Sequence, residues 1–292
     1  MGPPMTPNEI IDGIDQLLSL PDVVVRINEL IESDTSLIEE IADVISHDPA
    51  LSAQLLKLVN SAFYGFPAQI DSMSRATNLI GTDEIRSLVL ASSTASVFGN
   101  VSTELIDMDS FWHRSVYCGL IAKKLYRLTH KGNGESQFLM GLLHDIGRLV
   151  LLTTMSNDYA QLLQQAKDSH EPLHELERRW LGFDAAEIGA TLLERWHLPS
   201  VLWVPVKFQH APQQSDRLLP ECQLLGLAIK ITNCVEPELK SSDLSEQLKQ
   251  LDQLQLGNIE LTAAEVETIA MEANMEAFEV LSIINPGATT VF

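Results

Sequence analysis

The apolar residues of this 292-residue chain recur with the period of an α-helix along almost its whole length. Near the N-terminus, for example, Ile10, Ile11, Ile14, Leu17 and Leu18 fall on one face of a helix with 3.6 residues per turn. The sequence has no convincing segment in which apolar and polar residues alternate, as they do in half-buried strands. The pattern therefore predicts an all-α, multi-helical protein.

Helix-start signals, together with glycine and proline residues that interrupt helices, divide the chain into many short helices. Capping patterns precede four apolar segments, and their residue pairs are Ser36 with Glu39, Asp48 with Pro49, Asp184 with Glu187, and Thr262 with Glu265. We predict three regions. These are an N-terminal helical lobe over residues 1–104, a helical core over residues 105–212, and a C-terminal helical extension over residues 213–292 that packs on the core.

The charge of the chain excludes some classes of partner. Its 19 Lys and Arg residues stand against 40 Asp and Glu residues, which gives a formal net charge of −21. A nucleic-acid backbone would be repelled, so we expect no nucleic-acid binding. The N-terminus lacks the pattern of a signal peptide and no apolar run has membrane-spanning length, so we expect a cytoplasmic protein with no membrane attachment.

An adjacent His144-Asp145 pair interrupts the apolar segment from Gly141 to Arg148. Burying two polar groups there is costly unless they have partners, and a shared divalent cation is one such partner. His113 precedes His144 by 31 residues, a gap that fits two helices and a turn. A histidine on one helix and a His-Asp pair on the next can converge on one metal ion if all three face inward.

The chain resembles the HDOD family, a branch of the HD superfamily of metal-dependent phosphohydrolases. The resemblance covers roughly residues 17–212 and is carried by several motifs. These are His47 to Ser52, Leu58 to Gly65, Ala76 to Gly81, Ile85 to Val89, Phe111 to His113, Gly141 to Leu149, Leu181 to Gly189, and Glu194 to Pro199. It implies a multi-helical HD-like domain with an N-terminal helical lobe.

The resemblance also implies a set of candidate metal ligands, namely His113, His144, Asp145 and His210. Two positions depart from the pattern of the catalytic relatives. Ala185 stands where they usually carry another histidine, and Ile229 stands where they carry a terminal aspartate on a late helix.

Arg148 lies where catalytic relatives place a basic residue near the substrate phosphate. It is therefore a candidate anion-binding residue, or else an ordinary surface or ion-pair residue. Lys230, next to Ile229, would add positive charge to the site if it faced inward.

The absence of ligand side chains at positions 185 and 229 limits the number of metal ions that we expect the site to bind. Two metal ions need more anionic ligands than one aspartate provides. We expect no cofactor, or at most one divalent ion such as Fe, Mn or Zn. In an empty site, His144 and Asp145 would bond to each other or to nearby backbone groups.

Three functions stay open. The first is a non-enzymatic bacterial signalling module that binds regulatory proteins or a second copy of itself. The second is a metal-dependent phosphohydrolase or phosphodiesterase that uses the four candidate ligands, with cyclic dinucleotides as one candidate substrate. The third is a sensor of a small ligand or nucleotide that uses the former active-site pocket.

Overall fold

A computed structural model describes residues 6–14, 19–33, 37–61, 64–98, 106–130, 132, 134–169, 171–235, 255–256 and 259–284. Over these residues the prediction of an all-α fold is confirmed. The exception is a ladder of two two-residue strands, β1 (Gln255–Leu256) and β2 (Ile259–Glu260), which pair antiparallel with Leu256 opposite Ile259. None of the described helices combines the length and the apolar composition needed to cross a bilayer.

The helices follow one another with short connections. In chain order they are α1 (Pro7–Asp12), α2 (Asp22–Glu32), α3 (Ile38–Ser46), α4 (Pro49–Val59), α5 (Met73–Ile80), α6 (Thr82–Val97), α7 (Met108–Thr129), α8 (Glu135–Leu143), α9 (Ile146–Thr154), α10 (Ser156–Ser169), α11 (Leu173–Leu181), α12 (Ala185–Arg195), α13 (Ser200–Lys207), α14 (Leu219–Val235) and α15 (Ala263–Ile284). A 3₁₀ turn, Pro212–Gln214, precedes α14.

The chain forms two compact units. The first unit contains residues 1–17 and 100–274, and the second contains residues 18–99 and 275–292. In the first unit α1 packs on α12, where Arg195 forms an ion pair with Asp12 at 2.5 Å. In the same unit α14 packs directly on α7, α8 and α13.

Most of the predicted helix starts that lie in the described residues are held by their capping side chains. The Asp48 carboxylate accepts the N–H groups of Ala50 and Leu51, both at 3.0 Å, and Asp184 accepts that of Glu187 at 3.0 Å. Thr262 and Glu265 form the predicted reciprocal capping box. Ser36 lies outside the described residues.

Asn60 ties the end of α4 to a distant backbone segment in the second unit. Its side-chain amide donates to the Leu56 and Ile70 carbonyl oxygens, and its side-chain oxygen accepts the Ile70 N–H at 2.7 Å. These hydrogen bonds hold the backbone at Ile70 against the end of α4.

Glycines allow four helices of the first unit to approach one another at backbone distance. A Cβ atom on Gly141 would lie 2.7 Å from the Gly119 Cα, so α8 and α7 touch without intervening side chains. A Cβ on Gly147 would lie 1.8 Å from the Ala185 carbonyl oxygen and 2.6 Å from the Gly189 nitrogen. The two glycines that flank His144 and Asp145 thus fix the segment against α7 on one side and α12 on the other.

We predict that Gly147→Ala lowers the free energy of unfolding by about 3 kcal/mol, because the new methyl group would collide with backbone that cannot move aside cheaply. Gly13→Ala is the control, since a Cβ there would lie 3.4 Å from the Ile10 carbonyl oxygen, an ordinary contact, and it should change stability by less than about 0.5 kcal/mol. Urea unfolding followed by circular dichroism measures both. Equal midpoints for Gly147→Ala and the parent protein would contradict the close-packing account.

Candidate functional site

The His144-Asp145 pair lies at the junction of two helices. His144 is the C-cap residue of α8 and Asp145 is the N-cap residue of α9. The His144 ring is buried. Its Nδ1 donates to the Gly141 carbonyl oxygen at 2.7 Å, which leaves Nε2 as the acceptor nitrogen of the neutral ring. Burial lowers the pKa of His144, so the ring is uncharged near neutral pH.

Asp145 is bonded to an arginine of the same helix. The Arg148 guanidinium lies 3.2 Å from the Asp145 carboxylate, and both side chains are largely shielded from solvent. The His144 ring therefore bonds to the Gly141 carbonyl oxygen, and the Asp145 carboxylate pairs with Arg148. Arg148 was a candidate anion-binding residue or else an ordinary surface or ion-pair residue, and the structure shows the ion pair. The Arg148 side chain also lines the cavity described next.

A cavity of about 560 Å³ opens beside this pair within the first unit. Its walls come from α7, α9, α11, α12 and α14 and from the turn after α13. The lining residues are Arg114, His144, Asp145, Arg148, Pro172, Leu173, His174, Glu177, Ala185, Ala186, Gln209, His210, Gly226, Ile229, Lys230 and Asn233.

The structure brings most of the predicted site residues to this cavity but not His113. His144, Asp145, His210 and Arg148 line it, as do Ala185 and Ile229 at the two positions that lack the expected ligand. His113 is buried elsewhere on α7, with its ring roughly parallel to that of Tyr117 and 6.4 Å from it. The next residue, Arg114, lines the cavity instead and donates to the Asn233 side-chain oxygen.

This difference corrects the inference drawn from the 31-residue spacing. The spacing was compatible with two helices, and α7 and α8 are indeed neighbours. On a helix, consecutive residues point about 100° apart, and here Arg114 rather than His113 lines the cavity. A guanidinium therefore occupies the wall where a ligand histidine was expected.

His210 has a partner that the sequence did not indicate. Its ring stacks on that of His174, with centroids 4.1 Å apart and planes inclined by 8°. Loss of hydration among the cavity walls, together with the nearby His174, lowers the pKa of His210 to about 3. His174 is the second residue of α11, which follows Pro172, and no spacing rule relates it to His210.

The residues present do not fit the divalent metal that the HD resemblance implies. Among the described residues, no group of three or more His, Cys, Asp or Glu side chains is arranged to hold a metal ion. Three cationic side chains, Arg114, Arg148 and Lys230, line the cavity. They would repel a divalent cation, and Asp145 is already paired with Arg148.

Gln209 is a further cavity residue, and no function was predicted for it from the sequence. Its side chain is buried, and its Nε2 donates to the His144 carbonyl oxygen at 3.2 Å. That bond sets the orientation of the amide, and among the described residues the buried Oε1 has no hydrogen-bond partner. A buried acceptor in this state is uncommon.

Glu177 forms part of the cavity wall and holds the start of α12. Its carboxylate accepts the Tyr159 hydroxyl at 2.5 Å and the Ala185 N–H at 2.8 Å. Burial raises the pKa of Glu177 to about 7, while the two hydrogen bonds partly oppose that shift.

Comparison with known proteins identifies the family. The model of the HDOD domain matches residues 17–212, which is about two thirds of the chain. The chain belongs to the HDOD family. Among curated proteins, this HDOD protein is 27% identical over 233 residues to an uncharacterized protein of Treponema pallidum (strain Nichols). The match covers 78% of the chain and 45% of the relative, so the HDOD protein spans less than half of that protein's length.

Solved structures share the fold. An HDOD domain protein of unknown function from Geobacter sulfurreducens superimposes with a TM-score of 0.75 at 20% identity, covering 96% of both chains. A Shewanella amazonensis SB2B protein, provisionally named a phosphohydrolase, gives a TM-score of 0.74 at 23% identity, covering 94% of the HDOD protein and 96% of the other chain. At these identities the comparisons show the fold alone.

We predict that Glu177→Gln removes a pH-dependent part of the HDOD protein's stability. A carboxyl group whose pKa is raised on folding stabilises the folded state at low pH, and this contribution is lost as the pH rises through about 7. Relative to the variant, the parent protein should lose up to about 1.4 kcal/mol per pH unit between pH 5 and 7. Denaturant unfolding across this range measures the difference.

Glu175→Gln, on the exposed side of the same helix, controls for the loss of one charge. A stability difference between Glu177→Gln and the parent that stays constant from pH 5 to 8 would contradict the raised pKa.

Proposed function

We propose that this protein is a cytoplasmic, non-enzymatic regulatory module of the HDOD family that acts by binding another protein. In this proposal the HD metal site is degenerate. The observation that carries it is the composition of the cavity, where arginine and lysine side chains face the one aspartate of the HD motif.

Hydrolysis by an HD site needs metal ions to lower the pKa of a bound water and to neutralise the phosphate. The cavity offers poor support for that chemistry. Ala185 and Ile229 provide no donor atom, His113 lies outside the cavity lining, and His210 stacks on His174. The phosphohydrolase alternative therefore has no specific observation in its favour.

An exposed apolar stripe on α15 provides a surface suited to partner binding. Met271, Met275 and Phe278 lie on one face of the helix and are 65%, 81% and 57% exposed. The opposite face, which includes Ala273, Ala277 and Val280, is buried. Three large apolar side chains in a row are unusual on a free surface, and methionines adapt well to the shape of a partner.

The charge of α15 favours a basic partner. The helix contains five glutamates and no Lys or Arg, and Glu276 and Glu279 flank one side of the stripe. Glu272 on the same side pairs with Lys124 at 3.1 Å. A second copy would bring the same acidic helix and the same net charge of −21, so self-association is electrostatically disfavoured. We therefore propose an amphipathic helix with a basic face as the occupant of the stripe.

The first test asks whether the protein is an enzyme. We expect freshly purified protein to contain less than about 0.1 mol of Fe, Mn or Zn per mol of chain, a residual level of loosely bound ion. We also expect no hydrolysis of generic or cyclic-dinucleotide phosphodiesters when these metals are added. Elemental mass spectrometry and product chromatography measure the two quantities. Stoichiometric metal with turnover that His144→Ala abolishes would refute the proposal.

The second test asks whether the α15 stripe binds a partner of the stated chemistry. The probe is a synthetic helical peptide with leucines on one face and lysines on the other. Its Kd, measured by fluorescence anisotropy, should rise about tenfold or more in Met275→Glu with Phe278→Ser, because the variant loses two central apolar contacts. Leu37→Glu with Leu79→Ser, on exposed leucines elsewhere, is the matched control. Equal weakening by both variants would exclude the stripe as the binding surface.

A further inference from the structure

We propose that Met271 and Met275 on α15 are sites of reversible oxidation by hydrogen peroxide, and that their sulfoxides release a partner from the α15 stripe. The inference rests on the proposed function, because it assigns a means of regulation to the partner-binding surface. It concerns sulfur atoms on the exterior of the protein and does not involve the cavity beside His144.

The methionines of the described residues differ in exposure. The exposed side chains are those of Met271 and Met275, which are 65% and 81% exposed. They are four residues apart and therefore lie on the same face of α15. The other described methionines are buried or half-buried, and they are Met73, Met108, Met140 and Met155. A peroxide in solution therefore reaches the two thioethers of the stripe first.

The cysteines do not compete for the oxidant. Cys118 and Cys222 are buried, and Cys234 is half-buried. Burial raises the pKa of all three thiols, that of Cys118 to about 12. Peroxide oxidises the thiolate form of cysteine, which is scarce at neutral pH when the pKa is raised. The accessible and reactive sulfur atoms of the described residues therefore lie in the α15 stripe.

Oxygen transfer to a thioether needs no catalytic group on the protein. A sulfur lone pair attacks one oxygen of hydrogen peroxide, the O–O bond breaks and an S–O bond forms. The proton on the transferred oxygen passes to the leaving oxygen, which departs as water. The sulfur loses two electrons, the peroxide gains two, and the product is methionine sulfoxide.

The acidic surroundings of the stripe favour an uncharged oxidant. Glu276 and Glu279 flank the stripe, and the chain carries a net charge of −21. This surface repels anionic oxidants, whereas hydrogen peroxide is neutral at physiological pH. The same negative charge that we propose to attract a basic partner therefore does not hinder the approach of peroxide to the two sulfur atoms.

Oxidation would change most of the stripe from an apolar to a polar surface. A sulfoxide carries a strongly polar S–O bond, and burying this group in an apolar contact without a hydrogen-bond donor is unfavourable. Of the three stripe residues, only Phe278 would keep its apolar character. The fold should not change, because α15 packs through its opposite face, which includes Ala273, Ala277 and Val280.

The test exposes the full chain to excess hydrogen peroxide, removes the oxidant, and measures binding of the helical leucine and lysine peptide by fluorescence anisotropy. The peptide contains no sulfur, so only the protein can form sulfoxides. We expect peptide mapping by mass spectrometry to find an added oxygen at Met271 and Met275 about tenfold sooner than at the buried methionines. The Kd of the peptide should rise about tenfold. Treatment with methionine sulfoxide reductases for both sulfoxide epimers should restore it.

Met271→Leu with Met275→Leu keeps the stripe apolar and removes both oxidisable sulfur atoms. This leucine variant should bind the peptide as the untreated parent does, and peroxide should leave its Kd unchanged. Met108→Leu with Met155→Leu is the matched control, since it removes two half-buried methionines outside α15. Peroxide should still weaken binding by this control. Circular dichroism before and after oxidation checks that each protein is folded.

The inference is overturned if Met271 and Met275 are oxidised no faster than the buried methionines, or if their complete oxidation leaves the Kd unchanged. It is also overturned if peroxide weakens the leucine variant as much as the parent. These results leave the proposed function standing, because the untreated protein still binds the peptide. Failure of the untreated protein to bind the peptide refutes the stripe as a partner surface, and the inference falls with it.

Discussion

The ion pair between Asp145 and Arg148 governs the charge at the wall of the cavity beside the HD motif. Asp145 is the one carboxylate of the HD motif, and its partner is held on the same helix one turn away at 3.2 Å. Taking a charge out of water is tolerable only when an opposite charge accompanies it. Because Arg148 neutralises the charge of Asp145, the carboxylate needs no metal ion. Arg114 and Lys230, which also line the cavity, would repel a cation.

The backbone around this pair is closely packed. Gly141 and Gly147 bring α8 and α9 against α7 and α12 with no room for a Cβ atom. The His144 Nδ1 donates to the Gly141 carbonyl oxygen. The cavity therefore has a rigid wall at the His-Asp pair, while α15 carries an exposed apolar stripe on an acidic helix.

Much of the fold could be predicted from the sequence because helical periodicity and capping act over a few neighbouring residues. The starts at Asp48, Asp184 and Thr262 are examples. The candidate site was harder, since it depends on the rotation of each helix about its axis. A one-residue difference on α7 exchanges His113 for Arg114, and the stack of His174 on His210 joins segments with no sequence relation. The location of α1 and α15 likewise depends on contacts between distant segments.

The most direct test of the cavity's character is a crystal structure of the full chain grown with zinc. Anomalous diffraction at the zinc edge locates any bound ion. The account predicts no zinc peak at His144 and Asp145, with Arg148 still paired to the aspartate. A zinc ion coordinated by His144 and Asp145, with Arg148 displaced from the aspartate, would contradict it.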